Sequence, residues 1–131
     1  MSTAQDDQYL HWKKDVAAAD YDAASSYLSI RFGESRAAQV AAELRKLPVI
    51  TRRANDIVRA TGRLPLPLSD PGVLRELKKV LGGKKLSPIL VAEADIADGY
   101  HRLSLAYNLD PYGDVPLKLA GPAAETSVSG T

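Results

Sequence analysis

The stretch Ala97-Asp98-Gly99-Tyr100-His101-Arg102-Leu103 constrains this chain more than any other. It follows a short apolar run and opens a segment, Leu103 to Leu109, with helical spacing. A backbone that passes from strand to helix at a glycine presents several free N–H groups in one direction. Such a turn receives anions, phosphate above all.

His101 and Arg102 sharpen the point. A helix N-terminus carries about half a positive charge, so each cation there is disfavoured by ~0.3–1 kcal/mol. Asp98 offsets part of this as the N-cap acceptor. A bound anion would offset the rest and give Arg102 a bidentate partner. On this reading Arg102→Ala leaves the empty protein as stable as the parent, or slightly more so. The plainer alternative has Asp98 capping, Gly99 turning and Arg102 pointing into water.

The chain has 131 residues, which suits one domain with a modest core. We expect a polar lead over 1–19, the domain over 20–120, and a small, polar, disordered tail over 121–131. No run of about 18 apolar residues is present, so no membrane span is expected. The start, MSTAQDDQYLHW, is polar and acidic, unlike a signal peptide. Absence of cysteine excludes disulfides, thiolate catalysis and cysteine-bound metal. A cytoplasmic location fits.

Net charge is +1 but unevenly spread: residues 45–85 hold 11 Lys/Arg against 3 Asp/Glu. The candidate basic patch is Arg52, Arg53, Arg59, Arg63, Lys78, Lys79, Lys84 and Lys85. Such a block attracts nucleotide or nucleic acid, or is simply solvated helix face.

Asp20 to Phe32 reads as a helix capped by Asp20 and stopped by Gly33. Glu34 to Leu47 reads as a second, with a stripe of Ala37, Val40, Ala41, Leu44 and Leu47, ended by Pro48. The two make a hairpin. Val49-Ile50-Thr51 is a short strand. A brief helix then runs from Asn55 or Asp56 to Thr61, closed by Gly62. The prolines of Leu64-Pro65-Leu66-Pro67-Leu68 make that segment extended. Ser69-Asp70-Pro71 starts a helix whose buried stripe is Leu74, Leu77 and Leu81. Pro88 to Ala92 is a buried strand, and Val115, Leu117 and Leu119 alternate in a half-buried last strand. Together these predict an α+β fold: a helical hairpin followed by a small mixed sheet.

From Leu74 to Leu119 the order is helix, Leu86-Ser87-Pro88-Ile89-Leu90-Val91, turn, Asp98-Gly99-Tyr100-His101-Arg102, helix, Val115-Pro116-Leu117. This resembles the fold shared by ParB-type partition proteins, sulfiredoxins and free-serine kinases, over about residues 65–120. That family has a Leu-x-Pro-Ile-x-Val strand, a Gly-x-x-Arg turn into a helix, and a last strand near Val-Pro-Val. The resemblance implies binding of a nucleoside di- or triphosphate with Mg²⁺. Gly99, His101 and Arg102 would contact phosphate, with Asp98 and Tyr100 beside them. The sulfiredoxin cysteine is Tyr100 here, so sulfinic acid reduction is not expected. The kinase form, Asp-Gly-His-His-Arg, differs at one residue and also uses a glutamate before the preceding helix. Asp70 is the acid at hand there, as catalytic base or as helix cap.

Asp95 and Asp98 are candidate Mg²⁺ ligands beside a phosphate, or turn and cap formers. Tyr100 either stacks on a base or joins Leu103 and Tyr107 on a core face. Ser104 reads as a helix-surface serine, and Trp12 as core filling. The expected function is nucleotide binding, with phosphotransfer or nucleotide hydrolysis as a possible activity. The alternative is a non-catalytic DNA- or protein-interaction module using the 45–85 segment.

Overall fold

Gly33 takes φ 89°, and there one helix stops and the next begins. In the computed structural model, which describes residues 10–121, this glycine joins α1 (Ala18–Phe32) to α2 (Glu34–Lys46). The rest follows as β1 (Ile50–Arg53), α3 (Ala54–Thr61), α4 (Pro71–Leu81), β2 (Ile89–Ala92), β3 (Asp95–Asp98), α5 (Tyr100–Leu109) and β4 (Asp114–Ala120). The fold is α+β. Proline and glycine set most boundaries: Gly62 closes α3 in the left-handed region, and Pro71 opens α4 behind Asp70. Asp70 Oδ2 accepts from the N–H groups of Gly72 (2.9 Å) and Val73 (3.1 Å), an N-cap.

The sheet order is β1-β4-β2-β3. β1 and β3 run antiparallel to their neighbours, and β2 lies parallel to β4. Glu93 and Ala94 both take positive φ (54° and 60°), which closes the β2–β3 hairpin in two residues. Leu90, Ala92, Ala97 and Ala120 face the α1–α2 hairpin and pack on Ala24, Leu28, Val40 and Leu44. The opposite face, Ile89, Val91, Ile96, Val115 and Leu117, packs on α3 and α5. The strands thus lie between two helical layers, which explains the continuous burial of β2. α4 packs outside α5, around Val73, Leu86 and Leu105.

Three expectations need correction here. α1 opens two residues earlier than expected, so Asp20 lies in its first turn, and no side chain caps it. The buried face of α4 is Val73 with Leu77 and Val80 partly buried, whereas Leu81 is 77% exposed. α4 therefore presents to α5 a face that keeps Leu77 but is turned by about 70° from the leucine stripe. In β4, Leu119 is exposed, while Lys118 is buried. Its Nζ lies over the Tyr21 ring, 5.3 Å from the centre, and donates to the Arg45 carbonyl (3.2 Å), near the negative end of α2. The lead is attached to the body, in keeping with Trp12 as core filling: Lys13 N–H donates to Leu86 O (2.7 Å), and Leu86 N–H to His11 O (2.8 Å). Trp12 packs into the core alongside. The beginning of the lead and the expected disordered tail, residues 1–9 and 122–131, lie outside the described residues.

The extended segment 64–68 is fixed to α5. Leu66 N–H donates to Ser104 Oγ (3.0 Å), and Asn108 donates to Leu66 O (2.8 Å). Ser104 is fully buried rather than on a helix surface, with its hydroxyl serving the backbone.

Candidate functional site

β3 delivers the chain to Gly99, which takes φ 100° and ψ 21° and starts α5. A Cβ there would lie 2.6 Å from Cγ2 of the buried Ile89 and 2.8 Å from Arg102 Nη2. Only glycine suits both the left-handed backbone and this close approach. Among the described residues no side chain caps α5, and its first backbone bond runs from Leu103 N–H to Gly99 O (2.9 Å). The N–H groups of Tyr100, His101 and Arg102 precede any intrahelical acceptor.

Asp98 does not take the capping role expected of it. Its Oδ2 instead accepts from Arg102 Nη2 at 3.0 Å. The same nitrogen donates to Asp20 Oδ2 at 3.2 Å, which ties α1 to the turn. Arg102 is only 14% exposed, and its guanidinium folds back over Gly99 rather than outward as expected of a phosphate fork. Among the described residues its buried Nε has no acceptor, and the buried Glu76 Oε1 on α4 has no donor. Burial raises the Asp98 carboxyl above its ordinary range, and the negative charges of Asp20 and Glu76 add to this, against the pull of Arg102.

His101 projects the other way. Its imidazole lies against the first turn of α4, where a Cβ on Gly72 would come within 2.3 Å of the ring. Nε2 is 3.7 Å from Asp70 Oδ2, beyond hydrogen-bond reach but close enough for attraction when the ring is protonated. Of the two roles open to Asp70, the structure supplies the helix cap.

A cavity of about 340 Å³ opens beside this turn. Its walls are Ala23 and Tyr27 of α1, Arg63, and the run from Ile96 to His101. Tyr100 contributes a half-buried ring, and its hydroxyl donates to Leu64 O, so one face of the ring belongs to the core. The Arg63 guanidinium lies 5.8 Å from the Tyr100 ring centre and 6.0 Å from that of Tyr27.

Asp95 anchors this wall. Its Oδ1 accepts from Arg63 Nε (2.9 Å) and the Ile96 N–H (2.8 Å). Its Oδ2 accepts from Tyr27 Oη and Arg31 Nη1, and from Arg63 Nη2 at 3.3 Å. Burial alone would raise this carboxyl, but the bonds from Arg63, Tyr27 and the Ile96 N–H outweigh it and hold the group below its ordinary range. Both oxygens are thus committed to cationic and neutral donors, which corrects the expectation that Asp95 helps hold Mg²⁺. Among the described residues no group of three His, Asp or Glu side chains is placed to hold a metal ion.

The basic block is divided by the fold. Arg52 and Arg53 lie on edge strand β1 and Arg59 on α3, all exposed. Lys78 and Lys79 end α4, Lys84 and Lys85 follow it, and Lys79 pairs with Glu76 at 3.3 Å. Arg63 alone lines the cavity. Tyr27 and Asp20 reach the site from α1, and nothing in their local spacing marks them. Tyr27 reads as one more apolar-stripe residue, and Asp20 as a cap.

Comparison with protein-family models, with curated proteins and with solved structures gave no match to this chain. Among the described residues no helix is long and apolar enough to cross a membrane.

Proposed function

We propose that this protein binds a phosphorylated ligand of the nucleotide class at the β3–α5 turn. The observation that carries the reading is the uncapped start of α5 at Gly99, opening on a cavity that Arg63 also lines. The phosphate sits against the N–H groups of Tyr100 to Arg102, where the helix dipole favours negative charge. His101 also lines the cavity, and its half-exposed ring turns from α4 to supply a side-chain donor at the rim. Tyr27 and Tyr100 give apolar walls to the remainder of the ligand. At about 340 Å³ the cavity is at the small end for ligand sites, so it encloses the phosphoryl part and leaves the nucleoside at the mouth. The resemblance of Asp98 to Arg102 to the Gly-x-x-Arg turn of ParB-type and sulfiredoxin-type proteins supports the same ligand class.

Arg102 is a positioning residue in this reading. It offsets one of the two negative charges of Asp98 and Asp20, which would otherwise repel the phosphate more strongly, and it ties the turn to α1. The basic block beyond Arg63 takes no part.

A thermal-shift screen of nucleoside mono-, di- and triphosphates, each with and without Mg²⁺, tests this. A ligand at 100 times its Kd adds about 2.7 kcal/mol to stability. A protein whose melting temperature ignores every nucleotide at millimolar concentration would refute the proposal.

A further inference from the structure

We infer that Arg63 reads a second anionic group of the ligand, so that the cavity prefers a diphosphate to a monophosphate. This rests on the proposed phosphate site at the turn. Two of the three guanidinium nitrogens are already committed: Nε and Nη2 donate to Asp95, and Nη2 also to Tyr27 Oη. Nη1 has no acceptor among the described residues, and the side chain, 39% exposed, lines the cavity wall. The tyrosine rings on α1 and α5 flank the group and fix its plane. Two arginines, Arg31 and Arg63, share the single carboxylate of Asp95, so the Arg63 guanidinium is not fully neutralised by its partner. Gly99 and Arg63 line one cavity, so an anion seated at the turn has a second, separately held donor within the same enclosure. A monophosphate at α5 leaves Nη1 to water. A diphosphate places its second phosphoryl group against a planar donor already oriented by its other bonds.

The test is calorimetric titration of inorganic phosphate and pyrophosphate into wild type, Arg63→Lys and His101→Gln, at matched ionic strength. Arg63→Lys keeps a positive charge opposite Asp95 and removes the fork, so general attraction for the more charged anion is retained. Wild type should bind pyrophosphate about tenfold more tightly than phosphate, the size of one charge-assisted hydrogen bond. Arg63→Lys should reduce that ratio to about twofold and leave the phosphate Kd within about twofold of wild type. His101→Gln should weaken both anions alike. Equal affinity of wild type for the two anions overturns the role of Arg63 while the phosphate site stands. So does a tenfold preference that survives Arg63→Lys. If wild type binds neither anion, the phosphate site and the inference fall together.

Discussion

Arg102 Nη2 lies 3.2 Å from Asp20 Oδ2, a bond between residues 82 apart that fastens α1 to the start of α5. The same nitrogen holds Asp98 at 3.0 Å. Both carboxylates are largely buried, so removing the cation strands two negative charges beside one another. Arg102→Ala should therefore destabilise the empty protein by roughly 2–4 kcal/mol, near the lower end for a broken buried pair. The position of Arg102 at a helix N-terminus points the other way, toward no loss or a slight gain. Urea unfolding of wild type and variant decides between them, and an unchanged midpoint would show that the pair contributes nothing.

Asp95 and Asp98 should give stability opposite dependences on pH. The Asp95 carboxyl is held below its ordinary value of 3.8, so its contribution is present above that pH. It disappears as the pH falls through the lower folded value. Asp98 is raised above 3.8, so its ionised form costs stability at neutral pH, and that cost is relieved as the pH falls through its raised value. At pH 7, Asp95→Asn should lose about 2 kcal/mol or more, less than a wholly buried pair because both arginine partners are part-exposed. Asp98→Asn should be neutral or slightly stabilising there. Its advantage over wild type should shrink as the pH falls toward 3.8. Chemical unfolding at a series of pH values measures both differences. An Asp98→Asn deficit at pH 7, or an advantage that persists unchanged at acid pH, would contradict the assignment.

Two glycines near the site should respond differently to alanine. At Gly99 the new methyl meets Ile89, which is fully buried, and the backbone stays in the left-handed region. Strain of 1–3 kcal/mol plus the clash should make Gly99→Ala cost about 3 kcal/mol or more. At Gly72 the methyl meets only the His101 ring, which is 47% exposed and free to swing outward. Alanine also suits a helix better than glycine by up to about 1 kcal/mol. Gly72→Ala should thus melt within a few degrees of wild type while moving His101 away from Asp70. The imidazole resonances of His101 should shift in Gly72→Ala, and an unmoved ring would show that the contact is looser than described.

Much of the architecture is legible in the sequence because it is dictated locally. Gly33, Pro48, Gly62 and the Asp70-Pro71 start act within a turn of their own position, and the helices break where they direct. The α4 face is not legible in that way. Leu74, Leu77 and Leu81 make one apolar stripe, Val73, Leu77 and Val80 another, and only α5 chooses between them. Asp20 misleads for an electrostatic reason: an acid at the N-cap and an acid inside the first turn both favour a helix start. The Arg63–Asp95 pair leaves no trace in sequence, since its members are 32 residues apart on a connector and an edge strand. The strand-to-helix turn was legible through Gly99. The inward fold of Arg102 was not, because it depends on a helix at the other end of the chain.

That inward fold leads to the final prediction, which separates holding the turn from touching the ligand. A residue that contacts phosphate through a planar fork is not replaced by lysine. A residue that only neutralises two carboxylates largely is, since an ammonium can also lie between Asp20 and Asp98. Arg102→Lys should therefore retain most of the stability lost in Arg102→Ala and bind phosphate within about threefold of wild type, a difference under 1 kcal/mol. His101→Gln should show the opposite division. Its melting temperature should stay within a degree or two of wild type, because the ring is half-exposed and makes no hydrogen bond to Asp70. Its phosphate affinity should fall about three- to tenfold as a donor at the cavity rim is weakened. Melting temperature and phosphate Kd, measured together on the three variants, test the division. A lysine variant that is fully stable yet fails to bind would return Arg102 to direct phosphate contact.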